Sequence, residues 1–473
     1  MLSSEFIELS ADHPDLKFVL QYDGELLSNA FHSELPLHFG GYVDEGYEKL
    51  QKAFERNFRD GWESVGASFA VFVEGRKVVD LWGGYADKQA AQPWKEDTLM
   101  ITFSPTKAFA AVCVALLVDR GRLKYDDLVS KHWPEFAKNG KENITIDWVL
   151  SHMAGLPYLD TPITKEMATD HKLMKGVLEN ETPKVPPGQG TGYHSFTYGW
   201  LVDQIIRKAD EKHRGISQFL REEITAPNGI DFHVGLDASE KHRVARATQS
   251  TILEAIIDIW YDPGIAGLVR KFYFIDKDSI IAKAMGNLPW VDVMDMYTLN
   301  SPAQQTLEQA TAISIGNARS MASIFSLFVD GRIVSEKTLA LIEKPVVNET
   351  DYVINEIIAR GHGFYYYPPR GKSKLDLRVS AKAKKERGEE DFYVHLSGVA
   401  SSAAQYVWSV KKRLTANSAA WKDLAKRITT LQTEGFDVKP GSDEAKVRRL
   451  MASQRRNKPG LLEQFDKKKK KKK

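Results

Sequence analysis

One stretch constrains the whole chain: Phe103-Ser104-Pro105-Thr106-Lys107, running into Ala108-Phe-Ala-Ala-Val-Cys-Val-Ala-Leu-Leu-Val118. A segment apolar on every side cannot rest on a surface, so it must be a helix enclosed by other elements. Ser104 is a good N-cap, and Pro105 fits the first helical position, where its missing N–H costs nothing. Gly121 supplies the stop. The run falls short of the ~20 residues that cross a bilayer. Ser104 and Lys107 stand one turn apart on the same face. A serine hydroxyl is a weak nucleophile until a base takes its proton. A lysine can be that base only if its pKa falls from ~10.4 toward ~7–8. Burial and the positive end of the helix dipole both push it that way. The spacing alone does not separate a nucleophile from a capped core helix with a lysine at its mouth. A second copy, Ser409-Val-Lys-Lys412, reads as coincidence.

A chain of 473 residues, 42% hydrophobic and 27% charged, has the means to enclose such a helix. Its net charge of +2 gives no global field pointing to nucleic acid. The single cysteine, Cys113, lies inside the apolar run and reads as core packing. With no disulfide available within the chain, an intracellular, cytoplasmic setting is expected. The N-terminal residues lack the basic and long apolar regions of a signal peptide.

Around that helix the chain reads in pieces. Residues 67–73 and 77–82, rich in β-branched and aromatic side chains and joined by Glu74-Gly75-Arg76, predict a β-hairpin. Thr145 should cap a short helix, Ile146-Asp-Trp-Val-Leu-Ser-His152, whose terminal histidine reads as structural and suited to the helix's negative pole. Residues 160–185 look helical and polar, and 250–300 helical and apolar. The loop Pro186-Pro-Gly-Gln-Gly-Thr-Gly192 delivers Tyr193-His194-Ser195 to the start of an apolar helix. Residues 314–328 predict an amphipathic helix, and Gly361-His-Gly-Phe-Tyr-Tyr-Tyr367 a strand. Further strands are expected at 391–398 and 405–410, with a helix at 419–431. The organisation expected is an N-terminal extension (1–40), a main domain (41–435) with an exposed basic insertion near 370–390, and a solvated basic tail (436–473). The tail ends in the run Lys467–Lys473, a candidate for contact with acidic surfaces.

Taken in order, several short motifs carry a family likeness. They are Gly40-Gly41-Tyr42-Val43-Asp44, Val79-Asp80-Leu81-Trp82-Gly83-Gly84, Trp94-Lys95-Glu96-Asp97-Thr98, Ser104-Pro-Thr-Lys107, Leu150-Ser-His-Met-Ala-Gly-Leu-Pro157, Tyr193-His194-Ser195, Gly199-Trp200-Leu201-Val202 and Ile315-Gly316-Asn317-Ala318-Arg319. Together they resemble the serine β-lactamase-like proteins, specifically the class C-like carboxylesterases and their animal relatives. The resemblance implies an α/β (α+β) fold of the β-lactamase/transpeptidase type, an antiparallel sheet flanked by helices plus a helical subdomain. It implies Ser104 as acyl-forming nucleophile, Lys107 as its activating lysine and Tyr193 as the tyrosine sharing general-base work. Ser195 would be the second polar residue of that motif. A cationic neighbour would then lower the pKa of Tyr193 from ~10. The third family motif is matched by His395-Leu-Ser-Gly398, one residue longer than the family pattern, and Val399 would bring an oxyanion-hole N–H. The family uses no metal and no organic cofactor, and its partner is a small ester or amide. A catalytically weak relative acting as scaffold or self-assembling protein is the second reading, favoured by the altered third motif.

Overall fold

The computed structural model describes residues 35–59, 61, 63–249, 278–291, 295–366 and, as backbone, 403–410. The chain divides into two compact units. One is His38–Glu55 with Glu63–Phe436, which holds the sheet and the candidate site; the other is Met1–Leu37 with Arg56–Trp62 and Asp437–Lys473. The expected basic insertion and tail, the strand expected at 391–398, the helix expected at 419–431 and residues 250–277 lie outside the described residues.

The expected hairpin is the middle of the main sheet. After β1 (Phe39–Val43) and helix α1 (Glu48–Arg59) come β2 (Gly66–Val73) and β3 (Arg76–Asp87), paired antiparallel. Glu74 and Gly75, both at positive φ, make the two-residue turn whose twist suits a hairpin. β2 is buried along its whole length, as a continuous apolar run bounded by turns should be. β1 pairs antiparallel with β3 on the outer side. On the other side the strand at Ala403–Val410 joins β2 in parallel, Ala403 opposite Gly66 and Val410 opposite Val73. The sheet is therefore antiparallel except for this pairing. A strand arriving from so far along the chain is not bound to the direction a tight turn would impose.

The apolar run forms α2 (Thr106–Asp119), buried from Thr106 to Leu117. Its end is a Schellman cap: Gly121, at φ +70°, donates to Val118 O, and Arg122 N–H to Leu117 O. Phe109 packs against Phe232 and Phe325, with ring centroids 4.3 and 5.0 Å away. Helix α3 (Ile146–Leu150) starts at the predicted Thr145 cap, whose Oγ1 accepts from Trp148 N–H (3.1 Å). The polar stretch holds α4 (His171–Asn180), and the apolar helix after Tyr193 is α5 (Thr197–Ala209), packed on α2. Two-residue strands β4 (Met100–Ile101) and β5 (Ile315–Gly316) pair antiparallel and bring the 311–316 segment beside the entrance to α2.

Helix α6 (Ala318–Val329) covers one face of β2. It begins later than its amphipathic pattern predicts, because Asn317 is the cap, its Oδ1 accepting from Ser320 N–H (2.9 Å). Beyond it, β6 (Val347–Thr350), β7 (Ile357–Gly361) and β8 (Phe364–Tyr366) form a small antiparallel sheet. The strand expected at 361–367 is thus half a hairpin turn. His362 and Gly363, both at positive φ, reverse the chain. Gly363 has to be glycine, since a Cβ there would lie 2.4 Å from Ala111 Cβ on α2. No helix among the described residues is long and apolar enough to cross a membrane.

Candidate active site

Ser104 sits where the chain turns from β4 into α2. Phe103, just before it, is held at φ +50°, an uncommon conformation for an aromatic residue. Helix α2 then begins at Thr106 rather than directly after Ser104, and no side chain caps it. The capping expected of Ser104 is absent because its hydroxyl is engaged elsewhere: Ser104 Oγ lies 2.7 Å from Tyr193 Oη. Ser104 is exposed, whereas Lys107, one turn on, is buried.

Lys107 Nζ reaches Tyr193 Oη at 2.8 Å, Ser104 Oγ at 3.4 Å and Thr311 O at 3.2 Å. The three groups named from the sequence therefore converge, with the phenol between hydroxyl and amine. Burial pushes the Lys107 ammonium well below the ordinary lysine range, and the Arg360 guanidinium adds to the effect. Neutral, the amine has a lone pair to accept a proton. The lowered Tyr193 pKa expected from a cationic neighbour does not arise. Burial raises it, with Tyr365 adding to the rise, and Lys107 beside it is driven toward the uncharged form. Tyr193 is thus a phenol at rest.

The loop ahead of Tyr193 is fastened along its length. Gly188 N–H bonds Met153 O (2.9 Å), and Gly192 N–H bonds His152 O (2.9 Å). Thr191 Oγ1 donates to Ser151 O (3.0 Å). Gly188, at φ +79°, lies flat on Trp148, where a Cβ would come within 2.5 Å of the ring. His152 is structural, as expected, but not as a charge at a helix pole. It is buried at φ +61°, and its Nδ1 accepts from His194 N–H (3.1 Å). Burial, with Arg360 and His194 nearby, pushes it well below the usual histidine range. His194 is committed at both nitrogens: Nδ1 donates to Gly192 O (2.5 Å) and Nε2 accepts from Leu156 N–H (3.1 Å).

Ser195 is not part of this cluster; its Oγ turns to Met285 Sδ (3.4 Å). His395, Gly398 and Val399 lie outside the described residues. Three contributors were missed in the sequence. Thr311 presents its carbonyl to Lys107, Tyr198 on α5 donates to Lys107 O (3.3 Å), and Arg360 lies buried beside Tyr193. Among the described residues no group of His, Cys, Asp and Glu could hold a metal ion.

The beta-lactamase family profile matches residues 54–425, which include every member of the cluster. The chain belongs to the beta-lactamase family. Among its relatives is the esterase/beta-lactamase LipL of Mycobacterium tuberculosis, 29% identical over 300 residues. That match takes in 62% of this chain and 64% of the relative's length. Among solved structures, a family VIII carboxylesterase is 26% identical with a TM-score of 0.63, over 88% of this chain and 99% of that one. A penicillin-binding protein homolog from Caulobacter crescentus is 28% identical with a TM-score of 0.60, over 75% and 87% of the two chains. These likenesses agree with the β-lactamase/transpeptidase fold expected from the motifs.

The two buried histidines predict acid sensitivity. In the unfolded chain each takes a proton near pH ~6.5. In the folded chain burial holds His194 down to about 4. Between those values the unfolded state binds more protons, so stability falls as pH falls. His194 alone accounts for roughly 3 kcal/mol across the window, and His152 acts in the same direction. The thermal midpoint should drop steadily from about pH 6.5 to about pH 4, and His194→Gln should flatten part of that slope. A midpoint that stays level through this window would show that the rings are charged in the fold.

Proposed function

We propose that this protein is a serine hydrolase that acts through an acyl-enzyme on small esters or amides, with Ser104 as nucleophile. The observation that carries this reading is the contact of Ser104 Oγ, Tyr193 Oη and Lys107 Nζ around a buried amine whose charged form burial disfavours. In the first step Tyr193 takes the Ser104 proton as it passes its own to Lys107, and Oγ bonds to the carbonyl carbon. The carbonyl π pair moves to oxygen and gives a tetrahedral oxyanion. The Ser104 N–H and an N–H near Val399 are the donors this reading assigns to it, and losing one such donor costs ~10²–10³ in rate. Collapse of the oxyanion breaks the bond to the leaving alcohol or amine. The leaving group takes a proton from Tyr193, which recovers one from the Lys107 ammonium. Water repeats the sequence on the acyl-enzyme and frees Ser104. No step needs a metal or an organic cofactor. The esterase names of the relatives favour esters as the first substrates to try.

A fluorophosphonate probe tests the reading directly, because it loses fluoride only to an activated serine. Mass spectrometry should find the adduct on the peptide that holds Ser104, and the labelled protein should no longer hydrolyse short p-nitrophenyl esters. An adduct on Ser195 or Ser409 with Ser104 unmodified would overturn the assignment.

A further inference from the structure

Arg360 lies at the end of β7 with 1% of its surface exposed. It shares a strand face with Ile358. Its Nη1 donates to Thr191 Oγ1 (2.8 Å) and pairs with the fully buried Asp351. Its Cζ stands 5.7 Å from the ring centroid of Tyr193 and 5.0 Å from that of Tyr365. A buried ion pair adds little stability compared with apolar side chains of similar size. Placing one here calls for another reason, and the neighbours supply it. The same guanidinium touches the loop residue two positions before Tyr193 and the ring of Tyr193 itself.

We propose that Arg360 is a positioning residue for the Ser104–Tyr193–Lys107 relay, fastening the Tyr193 loop through Thr191 and setting a fixed positive charge beside the relay. The proposal rests on the acyl-enzyme reading above. The fastening is continuous: Arg360 grips Thr191 Oγ1, Thr191 Oγ1 donates to Ser151 O, and Thr191 O accepts from Tyr352 N–H (3.0 Å). The charge acts through a site with little water, where screening is weak. It opposes a proton on Lys107, in the same sense as burial. The other titratable groups around Lys107 are Tyr193 and His194 from the loop, His152 beyond α3 and Tyr198 from α5, with Tyr365 from β8 beside Arg360 and Tyr193. The histidines are neutral and the tyrosines protonated, so the Arg360–Asp351 pair is the source of fixed charge among them.

The test is a pH titration of Lys107 in the full-length chain carrying [13C]lysine, its signal identified by its absence in Lys107→Arg. Arg360→Met should raise the Lys107 midpoint by about one pH unit, a tenfold change in the amine-to-ammonium ratio. Arg360→Lys, which keeps the charge but loses the Nη1 that joins Thr191 Oγ1 to Asp351, should leave the midpoint in place and slow Ser104 labelling several-fold. A purely structural arginine would slow labelling in both variants and leave both midpoints where they were. That result, or an equal shift in both, overturns the proposal. If Arg360→Met does not fold, Asp351→Asn decides. With the countercharge gone the Lys107 midpoint should fall, and an unmoved or raised midpoint overturns the proposal. Failure of wild-type Ser104 to take the fluorophosphonate would sink the acyl-enzyme reading alone, since the Lys107 midpoints are read without it.

Discussion

Lys107→Ala and Tyr193→Phe should each slow acylation of Ser104 by roughly 10²–10⁴-fold, the usual worth of a positioned acid–base group. The double variant should be little slower than the worse single. The reason lies in the distances. Ser104 Oγ to Tyr193 Oη is 2.7 Å and Tyr193 Oη to Lys107 Nζ is 2.8 Å, whereas the direct path from Oγ to Nζ is 3.4 Å. On the proposed relay the proton leaves through the phenol and ends on the amine. Removing either group breaks one path, and groups that act as a unit lose their effect together. Single-turnover labelling by the probe, with p-nitrophenyl ester hydrolysis alongside, gives the four rates of the cycle. If the two losses multiply in full, Tyr193 and Lys107 work in separate steps and the relay is wrong. The pH dependence has a definite sign. On the proposed relay the amine form of Lys107 is the active one, so acylation should fall as pH drops through the depressed Lys107 value.

The scaffold of this site could be read from the sequence further than the site itself. Helix α2 was legible because an all-apolar run ending at Gly121 has one physical solution, and both the burial and the Schellman end follow it. The hairpin was legible from β-branched runs and a glycine turn. Convergence of Tyr193 on Ser104 was not, because no local pattern encodes a contact between loops so distant in the chain; there the likeness to a family carried the inference. Local rules failed where the site had taken the residue for another use. Ser104 should cap α2 by propensity, and it does not, since its hydroxyl is spent on Tyr193.

Other misses had signals that could have been read. Arg360 falls two residues after Ile358, so the alternation of β7 already places both on one buried face. The pair His362-Gly363 resembles the Asn-Gly turns of tight hairpins, with histidine standing where asparagine is more common. Ser195 is a different case. Its motif position was carried over from the family, while its actual partner, Met285, comes from a distant stretch that no nearby residue announces.

Gly199→Ala should lower acylation by about 10²-fold, the cost of an ångström-scale misplacement at a reacting group, although position 199 touches no substrate. Helix propensity points the other way: glycine inside α5 costs ~1 kcal/mol relative to alanine. Glycine is required here by what lies against it. A Cβ at 199 would stand 2.3 Å from Thr311 Oγ1 and 3.0 Å from the backbone N and C of Ala310. Thr311 Oγ1 cannot swing aside. It accepts from Gly199 N–H (2.8 Å) and Gln309 Nε2 (2.8 Å) and donates to Phe196 O (3.1 Å), which uses the full capacity of a hydroxyl. The 309–311 segment must back away as a body, taking with it the Thr311 carbonyl that holds Lys107 Nζ at 3.2 Å. Overpacking of this kind destabilises by ~1–3 kcal/mol, which offsets the gain in propensity. Denaturant unfolding and probe labelling measured on the same protein separate the two effects. A Gly199→Ala protein that is more stable and labels at the wild-type rate would show that Thr311 does not hold Lys107 in place.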